Sequence, residues 1–260
     1  MSDDTLFERL KKLGFRLSKT ILDKVLEDAT RQRHSPLQSL EQLIEAERRA
    51  RDAVNLTRRT RAAQLGAVPA LDTFDWSHPR KIDKALYEHL LTLAFIEAGE
   101  NVLFRGGVGI GKTMLARNLG HEALRAGYSV RFTTLAAMTA EILRQESLPA
   151  ATRRLRRYTR VDLLIIDEIG YLPLDSRAAD AFYNVIAERH ERVSTIVTTN
   201  LSFKAWGPVF GEAGSLVALI DRFTQDMHAM EIEGESYRDP KHRKAASRAK
   251  PAPRPRPRRR

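Results

Sequence analysis

Not one of the 260 residues is a cysteine. That excludes a disulfide framework and any thiolate metal site, and it fits a reducing compartment. No apolar run approaches the ~20 residues of a membrane span. The first residues, Met1-Ser2-Asp3-Asp4-Thr5, have no basic-then-apolar signal layout. The expectation is a cytoplasmic protein that makes no use of a membrane. An excess of one charge is also missing from most of the chain. The net charge is +11, yet residues 241–260 hold 10 Lys+Arg and no acid. Residues 1–240 carry 34 basic against 33 acidic side chains. The positive balance therefore belongs to the tail, and it cannot by itself mark the folded body as a nucleic-acid binder.

What the chain does have is Gly106-Gly107-Val108-Gly109-Ile110-Gly111-Lys112-Thr113, which fits the phosphate-binding pattern G-x-x-x-x-G-K-[ST]. The run before it, Asn101-Val102-Leu103-Phe104, is short and β-prone. The run after it, beginning at Met114, has helical spacing. Strand, glycine loop and helix are the context this motif needs. Backbone N–H groups from Gly106 to Met114 then face phosphate oxygens at a helix N-terminus. Lys112 reaches the β and γ phosphates, and the Thr113 hydroxyl helps coordinate Mg²⁺. ATP with Mg²⁺ is the expected cofactor pair.

Residues 1–65 read as a helical N-terminal domain, with Leu6, Leu10, Leu13, Leu17, Ile21 and Leu22 at three- and four-residue spacing. Ser35-Pro36 interrupts it, and a second helix runs from about Leu37 to Arg61. Residues 66–80 read as a linker, whose Phe74 and Trp76 are expected to pack on the core. An ATPase domain follows over 81–240. It opens with one amphipathic helix over 81–98, and then strands alternate with helices. Strands are expected at 101–104, 129–134, 163–166, 194–199 and 230–232. Helices are expected after the glycine loop, over 135–144, 176–190 and about 215–228. This alternation implies right-handed βαβ crossovers, a parallel sheet and an α/β fold. The basic, proline-rich segment 241–260 is expected to be disordered.

Asp167-Glu168 follows the apolar run Leu163-Leu164-Ile165-Ile166, at the C-terminal strand end where open α/β folds bind ligands. Asp167 is suited to hold Mg²⁺, directly or through water. Glu168 is the candidate general base for the attacking water. Asn200, ending the next buried strand, is placed to position that water or sense the γ phosphate. Phosphoryl transfer gains from a further cation, often an arginine from a neighbouring subunit. Arg222 is the first candidate and Arg238 the second.

Three arginine-rich stretches are candidate DNA contacts. They are Arg48, Arg51, Arg58, Arg59 and Arg61; Arg153, Arg154, Arg156 and Arg157; and the tail. A solvated helix face explains such runs as well as a phosphate-contacting surface does. With no recognition-helix or zinc motif, contacts to phosphates rather than bases are expected, with steep salt dependence.

The order of glycine loop, Asp-Glu box, strand-end Asn and late Arg resembles an AAA+ ATPase. The text around these residues is narrower. Asp167-Glu168-Ile169-Gly170-Tyr171-Leu172-Pro173 is similar to the box of IstB-type transposition helper ATPases. So are Thr198-Thr199-Asn200-Leu201-Ser202-Phe203 with Trp206-Gly207, Asp221-Arg222, and Gly234-Glu235-Ser236-Tyr237-Arg238. Gly107 and Val108 stand where that family usually has prolines, and Phe223-Thr224-Gln225-Asp226 is less typical of it. The resemblance covers about residues 5–240. It implies an ATPase that oligomerises on duplex DNA, remodels it and recruits or stimulates the cognate transposase of an insertion sequence. It also implies an AAA+ sheet without a separate C-terminal helical lid, and an entry segment, Phe74-Asp75-Trp76, that lies near the nucleotide base. A DnaC-like loader of the replicative helicase shares every catalytic residue and is the alternative. A non-hydrolysing scaffold and a small-molecule kinase are the rivals from other classes.

Overall fold

Hydroxyl caps divide the N-terminal region into three helices. α1 (Leu6–Lys12) starts at Thr5, whose side chain and that of Glu8 form a reciprocal capping box. α2 (Lys19–Arg31) starts at Ser18, whose side chain accepts from the Ile21 N–H. α3 (Pro36–Ala63) starts with Pro36 at its first position, where a missing N–H costs nothing. Ser35 and Gln38 exchange backbone and side-chain hydrogen bonds of 2.8 and 3.3 Å there. Glu47 of α3 is buried, and its carboxylate accepts from the Arg16 and Leu17 N–H groups at 2.7–3.0 Å. A single carboxylate thus fixes the α1–α2 connection against α3.

This computed structural model describes residues 5–144, 147–170, 174–210 and 215–239. The tail 241–260 and Tyr171-Leu172-Pro173 lie outside the described residues. The chain divides into two compact units, Met1–Ala62 and Ala63–Arg260. No helix among the described residues is long and apolar enough to cross a membrane.

The second unit is built on five strands: β1 (Asn101–Gly106), β2 (Val130–Thr134), β3 (Leu163–Ile169), β4 (Ser194–Thr199) and β5 (Met227–Ile232). Their order is β2-β3-β4-β1-β5, and every pairing is parallel. The helices are α4 (Lys84–Leu90), α5 (Ala94–Ala98), α6 (Lys112–Ala126), α7 (Leu135–Leu143), α8 (Leu148–Thr159), α9 (Ser176–Arg189) and α10 (Ser215–Thr224). One core contains Leu103, Leu164, Ile166 and Val197 from the strands with Met138, Phe182, Trp206, Phe210 and Phe223. Val102, Phe104, Ile165 and Ile196 are also fully buried, as are Leu115 and Leu119 of α6. Burial on both faces is why the central strands read as unbroken apolar runs rather than alternating ones. The AAA+ class of α/β sheet expected from the sequence is the fold observed.

Several elements differ from expectation. The helical run before Ser35 is two helices, α1 and α2, and α8 has no counterpart among the expected helices. The single helix over 81–98 is two helices, α4 and α5. Thr92 Oγ1 bonds the His89 carbonyl at 2.7 Å and Leu93 is left-handed at φ 64°, so the helical ladder breaks between them. The helix expected to run to about 228 stops at Thr224, and β5 starts at Met227 rather than 230. The sheet accounts for this, because Met227 is already in register with Asn101 of β1.

Candidate functional site

β1 delivers the chain to Gly106, and α6 begins at Lys112, so the glycine loop turns directly into a helix N-terminus. Two glycines show why the loop needs them. Gly111 has φ 101°, and a Cβ there would lie 2.5 Å from the Phe74 ring. Gly109 has φ 77°, and a Cβ there would lie 2.1 Å from Ser236 Oγ. Both positions demand a conformation and a clearance that only glycine supplies. The Lys112 ammonium donates to the Gly106 and Gly107 carbonyls at 2.7 and 2.6 Å, which holds it over the loop. Burial pulls its pKa below the ordinary lysine value; the Asp167 carboxylate opposes this and the Arg238 charge adds to it.

The buried Asp167 faces the loop from β3. It accepts from the Thr113 hydroxyl at 2.9 Å and from the Thr198 hydroxyl of β4. Thr198 also accepts from the Glu168 N–H at 3.2 Å. The β3–β4 register shifts between Ile166 and Ile169, and Glu168 sits in that break with φ 64°. A left-handed glutamate inside a strand is unusual, and such backbone costs of order 1–3 kcal/mol where surrounding structure enforces it. The break directs Glu168 to the exposed end of the sheet while its neighbours Asp167 and Ile169 stay buried. Asn200 is exposed and immediately follows β4.

A cleft of about 350 Å³ lies beside the loop, lined by Thr73, Phe74, Gly109, Lys112, Met114 and Tyr237 among others. Arg238 lines it too, on the same side as Lys112. Its wall is a return segment of the chain that follows β5. Glu233 pairs with Lys81 in both directions at 2.9–3.2 Å. The Tyr237 N–H donates to the Gly109 carbonyl at 3.0 Å, and the Tyr237 hydroxyl donates to the Asp75 carbonyl at 2.6 Å. His78 stacks on the Tyr237 ring with centroids 3.8 Å apart. Phe74 is buried and packs edge-on against Trp76 at 4.8 Å, as expected for the core, but it also forms part of the cleft.

The structure therefore brings Gly106–Met114, Asp167 and Arg238 to one place. It leaves Arg222 elsewhere. That guanidinium donates to the Tyr183 hydroxyl at 2.6 Å and lies 5.1 Å from the Tyr183 ring centroid, on the α9–α10 side of the unit. The arginine stretches also separate. Arg48 and Arg49 bond Glu45, and Arg51 bonds Glu47, while Arg58 and Arg61 are exposed on the last turns of α3. Arg59 is half-buried. Arg154 and Arg157 bond Glu141 at 2.7 and 3.1 Å, and Arg153 and Arg156 are exposed. Two contributors went unread in the sequence: Thr198, and Tyr237 as a cleft wall. A polar residue inside a buried apolar strand was the only available signal for Thr198.

The chain resembles known proteins in sequence and in fold. The chain is 34% identical over 224 residues to the ATP-binding protein of insertion sequence IS21 from Pseudomonas aeruginosa, covering 86% of this chain and 84% of that one. It is 36% identical over 196 residues to the corresponding protein of insertion sequence IS5376 from Geobacillus stearothermophilus, covering 75% and 78%. Among solved structures it resembles DnaI, with a TM-score of 0.52 and 18% identity over 67% of this chain and 92% of that one. It resembles the replication initiator DnaA bound to AMPPCP and single-stranded DNA with a TM-score of 0.50 and 21% identity, over 63% and 52%. Those two likenesses speak to fold alone. The family model described as IstB-like ATP binding protein matches residues 8–246. The chain belongs to the family of IstB-like ATP binding proteins.

Proposed function

We propose that this protein is an ATPase that assembles on duplex DNA in its ATP-bound state and acts beside the transposase of an insertion sequence. The observation that carries the ATPase reading is the pairing of Thr113 with the buried Asp167 under the glycine loop, with Glu168 displaced into the open by the strand break. Triphosphate oxygens would accept from the loop N–H groups at the start of α6, with Lys112 and Arg238 supplying positive charge. Phe74, Met114 and Tyr237 offer an apolar and aromatic wall for the nucleotide's base.

Two oxygen donors 2.9 Å apart, one of them a buried carboxylate, suit a hard divalent cation. Thr113 and Asp167 would hold Mg²⁺, which when bound neutralises charge on the phosphates. Thr198 orients Asp167 for that task. Glu168 takes the proton of the attacking water, and Asn200 positions that water. Arg222, anchored on Tyr183, would complete the site of an adjoining copy. The names of the relatives support the insertion-sequence setting, and the cognate transposase and duplex DNA are the partners this reading requires.

The test combines ATP hydrolysis and DNA binding. Wild-type protein with Mg²⁺, ATP and duplex DNA should hydrolyse ATP and form a nucleotide-dependent complex. Lys112→Ala should lose both. Equal DNA assembly by Lys112→Ala would remove the coupling of nucleotide to DNA.

A further inference from the structure

We infer that an exposed arginine ridge along α8 and its C-cap, made of Arg153, Arg156 and Arg160, is the surface of the second unit that seats on the phosphate backbone of duplex DNA. The inference rests on the proposed DNA-binding reading and names the residues that would carry it. The sequence shows five arginines between 153 and 160 without saying which face them outward. The structure divides them. Leu155 and Tyr158 turn toward the core. Glu141 of α7 accepts from Arg154 at 2.7 Å, from Arg157 at 3.1 Å and from the Tyr158 hydroxyl. Burial alone would raise the Glu141 carboxyl, but Tyr158 and Arg154 hold it below its ordinary value. It is therefore an anion at neutral pH, and it balances the charge of the arginines it holds.

The ion pairs of Glu141 are with Arg131, Arg154 and Arg157, whereas Arg153, Arg156 and Arg160 are exposed. At 3.6 residues per turn they fall within an arc of roughly 60° and span roughly 10 Å of helix. One strand of duplex DNA carries a phosphate every ~3.4 Å of axis, so the ridge matches about three successive phosphates. No acidic residue occurs from Leu148 to Val161. The next one, Asp162, is occupied by the Ser129 N–H and hydroxyl, both at 2.7 Å. On α3, Arg48, Arg49 and Arg51 each lie against an acid one turn away, whereas Arg58 and Arg61 are exposed. Within the second unit, charge complementarity points to the α8 ridge. Phosphate contacts carry no base information, so the ridge should show little sequence preference.

The test is a salt titration of the full chain, with ATP, on a duplex of arbitrary sequence. In the triple variant R153Q/R156Q/R160Q the slope of log affinity against log salt should become shallower by about 2.7, at ~0.9 per phosphate contact. ATP binding should be unchanged, and R153K/R156K/R160K should keep the wild-type slope. R154Q/R157Q should change the slope by less than half as much as R153Q/R156Q/R160Q. A triple glutamine variant that binds ATP normally and keeps the full slope overturns the ridge and leaves the DNA-binding reading standing. Loss of the slope in the lysine variant overturns it as well, since charge is then not what matters. If the glutamine variant keeps duplex binding but loses binding to polyglutamate, the ridge serves an acidic protein and the assignment fails. A wild-type protein that binds no duplex with ATP overturns both the ridge and the reading beneath it.

Discussion

Glu168 occupies a left-handed backbone position at the end of a buried strand, where an ordinary residue would be unfavourable. Such strain persists where the neighbouring structure enforces it, and here the Thr198 hydroxyl bonds the Glu168 N–H. Glu168→Gln keeps size and hydrogen bonding but cannot take a proton. We expect ATP binding to survive and the hydrolysis rate to fall about 10²–10⁴-fold, measured as steady-state phosphate release. Thr198→Val should act differently. It removes a donor to a buried carboxylate and an acceptor for a strained N–H, costing about 1–3 kcal/mol in thermal or denaturant unfolding. It should also raise the Mg²⁺ concentration that hydrolysis requires, by freeing Asp167 to turn. Lys112 yields a pH prediction. Burial depresses its pKa, so between that lowered value and the ordinary 10.5 the unfolded chain binds more protons than the folded one. Stability of the nucleotide-free protein therefore rises with pH across that window. ATP affinity falls across it, because the phosphates lose a cation. Binding isotherms between neutral and alkaline pH check this, and Lys112→Met should remove that component. The residues legible in the sequence were those whose meaning is local: glycine, lysine and threonine at fixed spacing, and acids directly after an apolar run. Thr198 acquires its role only through the β3–β4 register, which spacing along one strand does not reveal.

At the scale of elements, the sheet brings the site together and a few buried polar side chains fix its parts. Arg189, the last residue of α9, is fully buried. It donates to the Tyr158 and Val161 carbonyls at 2.7 and 2.8 Å, to the Ser194 carbonyl, and to Thr195 Oγ1 at 2.9 Å. One guanidinium thus ties the end of α8 to the starts of β3 and β4. Arg189→Met keeps the stem but orphans three carbonyls, so we expect a loss of roughly 2–4 kcal/mol in denaturant unfolding. Tyr183 plays a comparable part for α10. Its hydroxyl and ring face anchor Arg222, so Tyr183→Ala should lower hydrolysis at saturating ATP without changing ATP affinity, whereas Tyr183→Phe retains the ring and should lose less. The strands and most helices were readable because the central strands are buried on both faces and hydroxyl or glycine caps punctuate the helices. The break between α4 and α5 was not, since Thr92 and Leu93 fit a helical pattern and the left-handed turn at Leu93 has no mark in the sequence. The part of Tyr237 in the cleft wall was equally hidden. Phe74 and Tyr237 are far apart in sequence, and the return of residues 233–239 past the glycine loop brings them together.

For the whole molecule, the placement of charge decides the function as much as the phosphate loop does. The nucleotide cleft holds the cations Lys112 and Arg238, yet Arg222 is anchored on another side of the same unit. On the proposed reading the adjoining copy would finish the site, and hydrolysis would be a property of the assembly. Duplex DNA would then act by bringing copies side by side, and ATP by holding them there. Mixing two inactive variants tests this most directly. Glu168→Gln and Arg222→Ala proteins, each assayed alone with ATP, Mg²⁺ and duplex DNA, should hydrolyse little. In a mixture, an intact Glu168 from one chain meets an intact Arg222 from the other, and a substantial fraction of wild-type hydrolysis should return. A mixture no more active than the sum of its parts would contradict the shared site.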